Sequence, residues 1–310
     1  MRGIHHVTAI AGKPQRNLDF YEHALGLRCV KRTVNFDDPG TYHFYFGDEA
    51  GNPGSILTFF PWEYAAPGRG GVGQTLTTSF RVPAQSIGYW THRLVDKGIP
   101  HEAPTRRFGE PMLAFTDPDG LSLALVGAAG AESEPAWSGS EVPAEHAIRG
   151  LAGLTLLLET AAPTAAVLTD VLGFAEVGHE DTHIRYRAHD GCGGVVDIRE
   201  AGSFLAGRMG RGSVHHVAFR AANDAEQEAM ATRLTRNHRL EPTGQKDRQY
   251  FRSIYFREPG GVLFEIATDA PGFTVDEPLT ELGGSLRLPA FLEPRRKQLE
   301  MVLPSLERAA

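Results

Sequence analysis

Only two cysteines, Cys29 and Cys192, occur in the 310 residues, and neither belongs to a C-x-x-C pair. A disulfide framework is excluded, and a reducing compartment is the better fit. No run approaches the roughly 20 apolar residues that a membrane helix requires. The opening MRGIHHVTAI also lacks an apolar stretch of signal-peptide length, so the cytoplasm is the expected location. Positive charge is not in excess: 31 Lys and Arg face 38 Asp and Glu, leaving a net charge of −7. Without a basic face, nucleic acid is a poor partner, and neither it nor a membrane is expected.

What remains is an ordinary globular mixture, 41% hydrophobic and 22% charged. The length is generous for one core and comfortable for two domains of about 130–150 residues. Histidine stands out. There are 13, and four of them form two doublets, His5-His6 and His215-His216.

The doublets belong to a repeat. Arg2-Gly-Ile-His-His-Val-Thr-Ala-Ile10 and Gly212-Ser-Val-His-His-Val-Ala-Phe-Arg220 share the pattern [IV]-H-H-V, shortly after a glycine, in a strand-like context. Glu258-Pro-Gly-Gly-Val-Leu-Phe-Glu-Ile266 and Asp117-Pro-Asp-Gly-Leu-Ser-Leu-Ala-Leu125 are both acidic-Pro-x-Gly turns leading into apolar strands. Looser echoes begin at Asn52 and Gly193. The chain therefore divides into four units of strand, helix and further strands, opening near Gly3, Gln74, Gly150 and Gly212.

Helices are expected over Pro14–Ala24, Ser86–Lys97, Pro163–Val171 and Asp224–Asn237, the first three each stopped by a glycine within two residues. Strands are expected near Arg28–Asn35, Tyr42–Phe46, Ser55–Phe60, Leu121–Val126, Ala175–His179, His183–Ala188, Val195–Glu200, Gln249–Arg257 and Val262–Thr268. The fold class is α+β: four βαβββ modules in two domains, forming cup-shaped, partly open β-barrels. Residues 1–127 hold units one and two, 149–270 hold units three and four, and 128–148 form a linker. The Ala-, Gly-, Ser-, Glu- and Pro-rich composition of Gly127–Glu145 suits that role. Residues 271–310 are a wrapping tail whose charged helix, Pro294–Leu306, suits packing on either domain or homo-oligomer contact. Gly68–Gly73 is expected to be a flexible crossover between units.

Position in the repeat singles out three residues. His6 and His216 share one place on the first strands of units one and four, and Glu265 lies on the last strand of unit four. The other copies carry Gly153 in unit three and small polar residues around Thr77–Ser79 in unit two. At the last-strand position they carry Ala124, Thr58 or Phe59, and Asp197 or Ile198. One lone strand histidine is more often structural; two at equivalent positions are a different matter. Glu265, among Val262, Leu263, Phe264 and Ile266, is costly to bury without a partner. A metal would satisfy it, as would an arginine such as Arg248 or Arg252. Two imidazoles and one carboxylate leave adjacent coordination positions open, which favours Fe(II); Mn(II) fits the same ligands, whereas Zn(II) prefers a more closed shell. One metal per chain is expected, where unit one meets unit four. Strand alternation places Thr8 on the His6 face and Ala218 on the His216 face.

Several segments resemble one family. They are Gly-Ile-His5-His6-Val-Thr-Ala-Ile, Val30-Lys-Arg-Thr33, Tyr42-His-Phe-Tyr-Phe46, Asn52-Pro-Gly-Ser-Ile-Leu-Thr-Phe-Phe-Pro61, Thr105-Arg-Arg-Phe-Gly109, Glu145-His-Ala-Ile-Arg-Gly150 and Tyr255-Phe-Arg-Glu-Pro-Gly-Gly-Val-Leu-Phe-Glu265. Taken together the chain resembles the vicinal-oxygen-chelate ring-cleaving dioxygenases of the hydroquinone type, over nearly its whole length. The resemblance implies Fe(II), dioxygen and a hydroquinone or related phenol, with metal ligands at His6, His216 and Glu265. It implies catalytic roles for His5, Thr8, His215, Arg248 and Tyr255. Two other readings compete. An isomerase or lyase of the glyoxalase kind would be favoured by Asp197 standing beside Glu265. A metal-free small-molecule binder would not need three intact ligands.

Overall fold

The computed structural model describes residues 2–307. Unit one comprises strand β1 (Ile4–Ala11), helix α1 (Pro14–Asp19), and strands β2 (Arg28–Asn35), β3 (Asp38–Gly47) and β4 (Ile56–Pro61). Unit two has β5 (Gln74–Pro83), α2 (Ile87–Asp96), β6 (Thr105–Arg107), β7 (Glu110–Thr116) and β8 (Ser122–Ala128). Unit three has β9 (Gly150–Leu158), α3 (Ala162–Asp170), β10 (Ala175–Glu180), β11 (His183–Arg187) and β12 (Val195–Glu200). Unit four has β13 (Ser213–Ala221), α4 (Asp224–His238), β14 (Lys246–Asp247), β15 (Arg252–Arg257) and β16 (Leu263–Thr268).

The four helices fall where apolar spacing and stop signals place them. The first differs in kind: α1 passes into a π-helical turn over Phe20–Ala24, which keeps Phe20, Tyr21 and Ala24 buried. In α2, Ile87, Trp90 and Leu94 recur at helical spacing and are the buried face. Helix α4 is capped by Asn223, whose side chain accepts from the Glu226 amide, with Asp224 and Glu226 in the first turn and Arg236 and His238 in the last. That charge order complements the helix dipole.

Each unit repeats one hydrogen-bonding pattern. Its first strand runs parallel to its last, and the others follow outward as antiparallel neighbours. Units then join through their first strands. Strands β1 and β13 pair antiparallel, giving the order β14-β15-β16-β13-β1-β4-β3-β2. Strands β5 and β9 do the same, giving β10-β11-β12-β9-β5-β8-β7-β6. The two curled eight-stranded sheets therefore exchange halves: each takes one unit from before the linker and one from after it. One large apolar core runs through all four units, and a smaller cluster around Tyr45, Tyr250 and Phe273 joins units one and four to the tail. The α+β class with four repeated modules is what the structure contains.

Three connecting regions are more ordered than their composition suggests. Gly68–Gly73 is not loose: it pairs with the matching crossover of units three and four, with Arg69 and Arg208 exchanging backbone hydrogen bonds of 2.9 and 2.8 Å. A Cβ at Gly71 would lie 2.4 Å from the Leu205 carbonyl oxygen, so the glycine permits this close approach. The linker is pinned by buried Ala131 and Val142, and Arg149 donates to the Ala131 and Ala144 carbonyls. The tail packs on unit one, with Tyr42 donating to the Pro304 carbonyl and Arg287 to that of Arg32. Its helix, α5 (Arg296–Val302), buries Leu299. Fully buried Lys31 anchors the tail through Phe273, Asp276 and Glu277. No helix among the described residues is long and apolar enough to cross a membrane.

Candidate metal centre and its cavity

The junction of β1 and β13 builds the site. Val7 stands opposite Val217, so His6 and His216, each one residue earlier, are related by a local twofold. On β13, Ala218 is opposite Glu265 of β16. Strand alternation then aims His6, His216 and Glu265 at one point from the same concave face. The Glu265 Oε2 atom lies 3.5 Å from His6 Nε2 and 2.9 Å from His216 Nε2. One ligating atom from each of the three lies within 4.8 Å of the others, and all three residues are buried.

These donors fit a divalent cation. Glu265 Oε1 accepts from the Ser253 hydroxyl, but Oε2 has no hydrogen bond although it is buried. A buried carboxylate oxygen facing two imidazole nitrogens is expensive unless a positive charge sits among them. Burial drives the Glu265 carboxyl upward, yet His6 and His216 outweigh it and hold it well below the usual carboxylate range. Burial pushes the His216 imidazole down, with Glu265 opposing. The arrangement therefore keeps a carboxylate and an electron-pair-bearing imidazole where a metal needs them.

The first member of each doublet now acquires a physical role. His5 Nδ1 is 3.0 Å from His6 Nδ1, and His215 Nδ1 is 2.8 Å from His216 Nδ1. Each contact engages the ring nitrogen that faces away from Glu265, which leaves Nε2 free to ligate. The two differ in access. His5 is buried behind His6 and does not reach the cavity, whereas His215 lines it. Burial lowers both, His5 well below its ordinary value and His215 to about 4.

In front of the three residues lies a cavity of about 420 Å³. Phe36, Phe60, Trp62, Phe251 and Leu263 supply apolar walls, and Arg248, Tyr255, His43 and Tyr45 supply polar groups. This combination suits a flat, polar-edged ring. Arg248 donates from Nε to the Tyr255 hydroxyl at 3.2 Å and pairs through Nη2 with Asp37 at 2.8 Å. It is thus both a cavity residue and a salt bridge, tying unit four to the β2–β3 turn of unit one. Tyr255 is raised by burial and by Glu265, so it remains a protonated donor. Thr8 does not line the cavity: it is fully buried on the face shared with His6 and accepts from Thr58 at 2.8 Å.

Sequence reasoning missed Ser253, His43, Tyr45, Phe251 and Asp37. For His43 and Tyr45 a signal existed. They alternate with Tyr42, Phe44 and Phe46, all of which enter the core, so period-two reading puts them on the cavity face. Ser253 and Tyr255 alternate in the same way with Ile254 and Phe256 of the core. Phe251 and Asp37 lie on turns, where periodicity has nothing to report. The register also settles two ambiguous positions. Thr58, opposite Thr8, corresponds to Glu265 in unit one, and Asp197, opposite Thr155, corresponds to it in unit three. Asp197 belongs to the other sheet and is held there by Arg185, not beside Glu265.

Known proteins resemble this chain over its length. The family model described as Glyoxalase/Bleomycin resistance protein/Dioxygenase superfamily matches residues 3–125 and 153–266. MhqO of Bacillus subtilis, provisionally named a ring-cleaving dioxygenase, is 47% identical over 305 residues, covering 98% of this chain and 96% of that protein. Chlorohydroquinone/hydroquinone 1,2-dioxygenase of Sphingobium indicum is 32% identical over 309 residues, covering 96% of this chain and 95% of that protein. The crystal structure of a provisionally named dioxygenase from Bacillus subtilis superposes with a TM-score of 0.92 at 45% identity, covering 99% of this chain and 98% of the other. Glyoxalase I from Zea mays shares only the fold, with a TM-score of 0.62 at 14% identity over 87% of this chain and 93% of that one. Repeat, register and these likenesses agree that the chain belongs to the Glyoxalase/Bleomycin resistance protein/Dioxygenase superfamily.

Proposed function

We propose that the chain is an Fe(II)-dependent ring-cleaving dioxygenase that acts on hydroquinone-like or related phenolic aromatics with O2. The observation that carries this reading is the buried trio of His6, His216 and Glu265 opening onto an aromatic-walled cavity. It is supported by similarity to a hydroquinone dioxygenase over most of both chains. His6, His216 and Glu265 would hold the metal, leaving adjacent positions for substrate and dioxygen. Fe(II) there supplies Lewis acidity toward a phenolate oxygen and the electrons that let ground-state dioxygen react.

The chain's own residues do the rest. Phe60, Trp62, Phe251 and Leu263 clamp the ring and exclude water. Arg248, always charged, faces anionic oxygen while Asp37 and Tyr255 fix its direction. Tyr255 accepts from Arg248, so its own proton is free to be donated into the cavity. His215 is neutral at pH 7. If its Nδ1 accepts from the His216 ring, its Nε2 proton also faces the substrate, which makes it a donor rather than a base. His5 acts at one remove, orienting His6 from behind. The overall change breaks one ring carbon–carbon bond beside a hydroxyl-bearing carbon and places both oxygen atoms in the product.

A glyoxalase-type isomerase is less well supported, because the second carboxylate it would use, Asp197, sits in the other sheet. The test is an oxygen electrode with anaerobically Fe(II)-loaded protein and a panel of hydroquinones, catechols and simple phenols. One O2 consumed per hydroquinone, with a ring-opened product, is the expected result. No uptake with any phenol, together with Ni(II)- or Zn(II)-dependent isomerisation of a thiol–aldehyde adduct, would replace this reading with the isomerase. Failure to take up any metal under iron loading would favour a binder.

A further inference from the structure

The sheet formed by units two and three curls around a cavity of its own, about 370 Å³, on the face that corresponds to the metal centre of the first. Neither histidine nor cysteine lines it among the described residues, so a transition metal has no set of ligands there. Gly153 stands at the register of His6, and Arg185 lies against Asp197. What the wall does carry is arginine: Arg81, Arg107, Arg185 and Arg187 all reach the cavity. Met112, Val126, Leu154 and Val195 give it apolar sides.

The carboxylates of this wall are all committed. Asp197 accepts twice from Arg185, and Glu110 accepts from it once. Asp190 pairs with Arg187 at 3.1 Å, and Arg81 is held from outside the cavity by Glu134 at 2.8 Å. The donors are not all committed. Arg107 makes no ion pair and no side-chain hydrogen bond among the described residues, although a guanidinium carries five N–H donors. Glu110, its opposite number across the β6–β7 turn, is engaged by Arg185 instead. Thr155 is only 3% exposed, lines the cavity, and has a hydroxyl without a hydrogen-bond partner among the described residues. Arg187 is matched only by Asp190, whose side chain is 90% exposed, and water screens such a pair. The unspent groups of the cavity are therefore donors, and an occupant has to bring the acceptors.

We propose that this second cavity binds a small organic monocarboxylate, with Arg107 as its main anchor and Thr155 and Arg187 as further donors. The planar fork of an arginine matches a carboxylate through two parallel hydrogen bonds. One unspent guanidinium suits a single negative charge, whereas the carboxylates already in the wall would repel a phosphate dianion. The apolar sides suit a compact hydrocarbon body, and the volume falls within the range of small-molecule sites. Binding here needs neither metal nor dioxygen, so it stands apart from the dioxygenase reading of the first sheet.

Benzoate is the probe, with benzamide as its uncharged counterpart. Met112 is the reporter, because no methionine lines the cavity of the first sheet. In the full chain labelled at its methionine methyl carbons, benzoate should shift the Met112 signal saturably, and benzamide at matched concentrations should not. Arg107→Gln should weaken benzoate binding about tenfold or more, and Arg107→Lys should keep part of it. No saturable Met112 shift, an equal response to benzamide, or wild-type affinity in Arg107→Gln would overturn the proposal; the last result would leave Arg107 as a mere counter-charge to Glu110. The comparison of benzoate with benzamide needs no variant, so it decides the matter even if Arg107→Gln does not fold.

Discussion

The two sheets are built to one plan and differ in what they put at its centre. Where units one and four place His6, His216 and Glu265, units two and three place Thr77, Gly153 and Asp197 at the same register. Each sheet has a cavity on that face, about 420 Å³ in the first and 370 Å³ in the second. In the second, Arg185 occupies the place of Tyr255 and lays its guanidinium on Asp197 with two hydrogen bonds of 2.8 and 2.9 Å, while also pairing with Glu110. A carboxylate buried at this position needs a cation. In the second sheet an arginine on the neighbouring strand meets that need; in the first, no arginine does, and a metal held by His6, His216 and Glu265, as proposed above, would meet it. Shared backbone geometry thus yields an open, cavity-facing carboxylate in one place and a closed ion pair in the other.

Swapping or deleting these centres sharpens the contrast. The largest effect is expected at the first sheet: His6→Ala, His216→Ala or Glu265→Ala should each reduce bound iron and oxygen uptake to background. Asp197→Ala should leave iron content unchanged by metal analysis, and a loss of metal there would break the comparison. Next comes Arg185→Met, which strands the buried carboxylate of Asp197 and should cost about 4 kcal/mol in urea unfolding without altering metal content; adding Asp197→Leu should recover most of it. Gly153→His asks whether the second sheet could accept the missing ligand. A Cβ there would lie 2.3 Å from the Val195 carbonyl oxygen, so a loss of about 2–3 kcal/mol and no gained metal are expected.

The smallest effect concerns pH. Burial depresses His215 to about 4, whereas its unfolded value is about 6.5. The unfolded chain therefore binds more protons between those values, and stability should be full above pH 6.5 and fall as pH drops toward 4. His5 and His43 add to the same trend. Replacing His215 with Asn should remove up to one proton's worth of slope, about 1.4 kcal/mol per pH unit, from metal-free protein. An unchanged slope would mean that acid sensitivity is not concentrated in the first sheet.

Much of this was legible along the chain because the repeat carries its own controls. Four copies of one unit show which positions are constrained by the scaffold and which depart from it, and the departures at His6, His216 and Glu265 mark the site. The strands Arg28–Asn35 and Val195–Glu200 fall where their residues place them. Less legible were the short strands β6 and β14, whose few residues carry too little pattern, and the start of β15, where Gln249 and Tyr250 turn to meet Asp276 of the tail.

By itself the sequence determined the units, their helices and the residues able to gather round a metal, because period, turn chemistry and residue type are local properties. The split ligand set already implied that unit one meets unit four, but tertiary structure decided the strand order that joins them, and with that the register of Thr58 and Asp197, the bridge from Arg248 to Asp37, and the hydrogen-bonded line from Tyr45 through His43 and Thr58 to Thr8. These depend on strands distant in the chain lying side by side, and no local pattern encodes the partner across that gap.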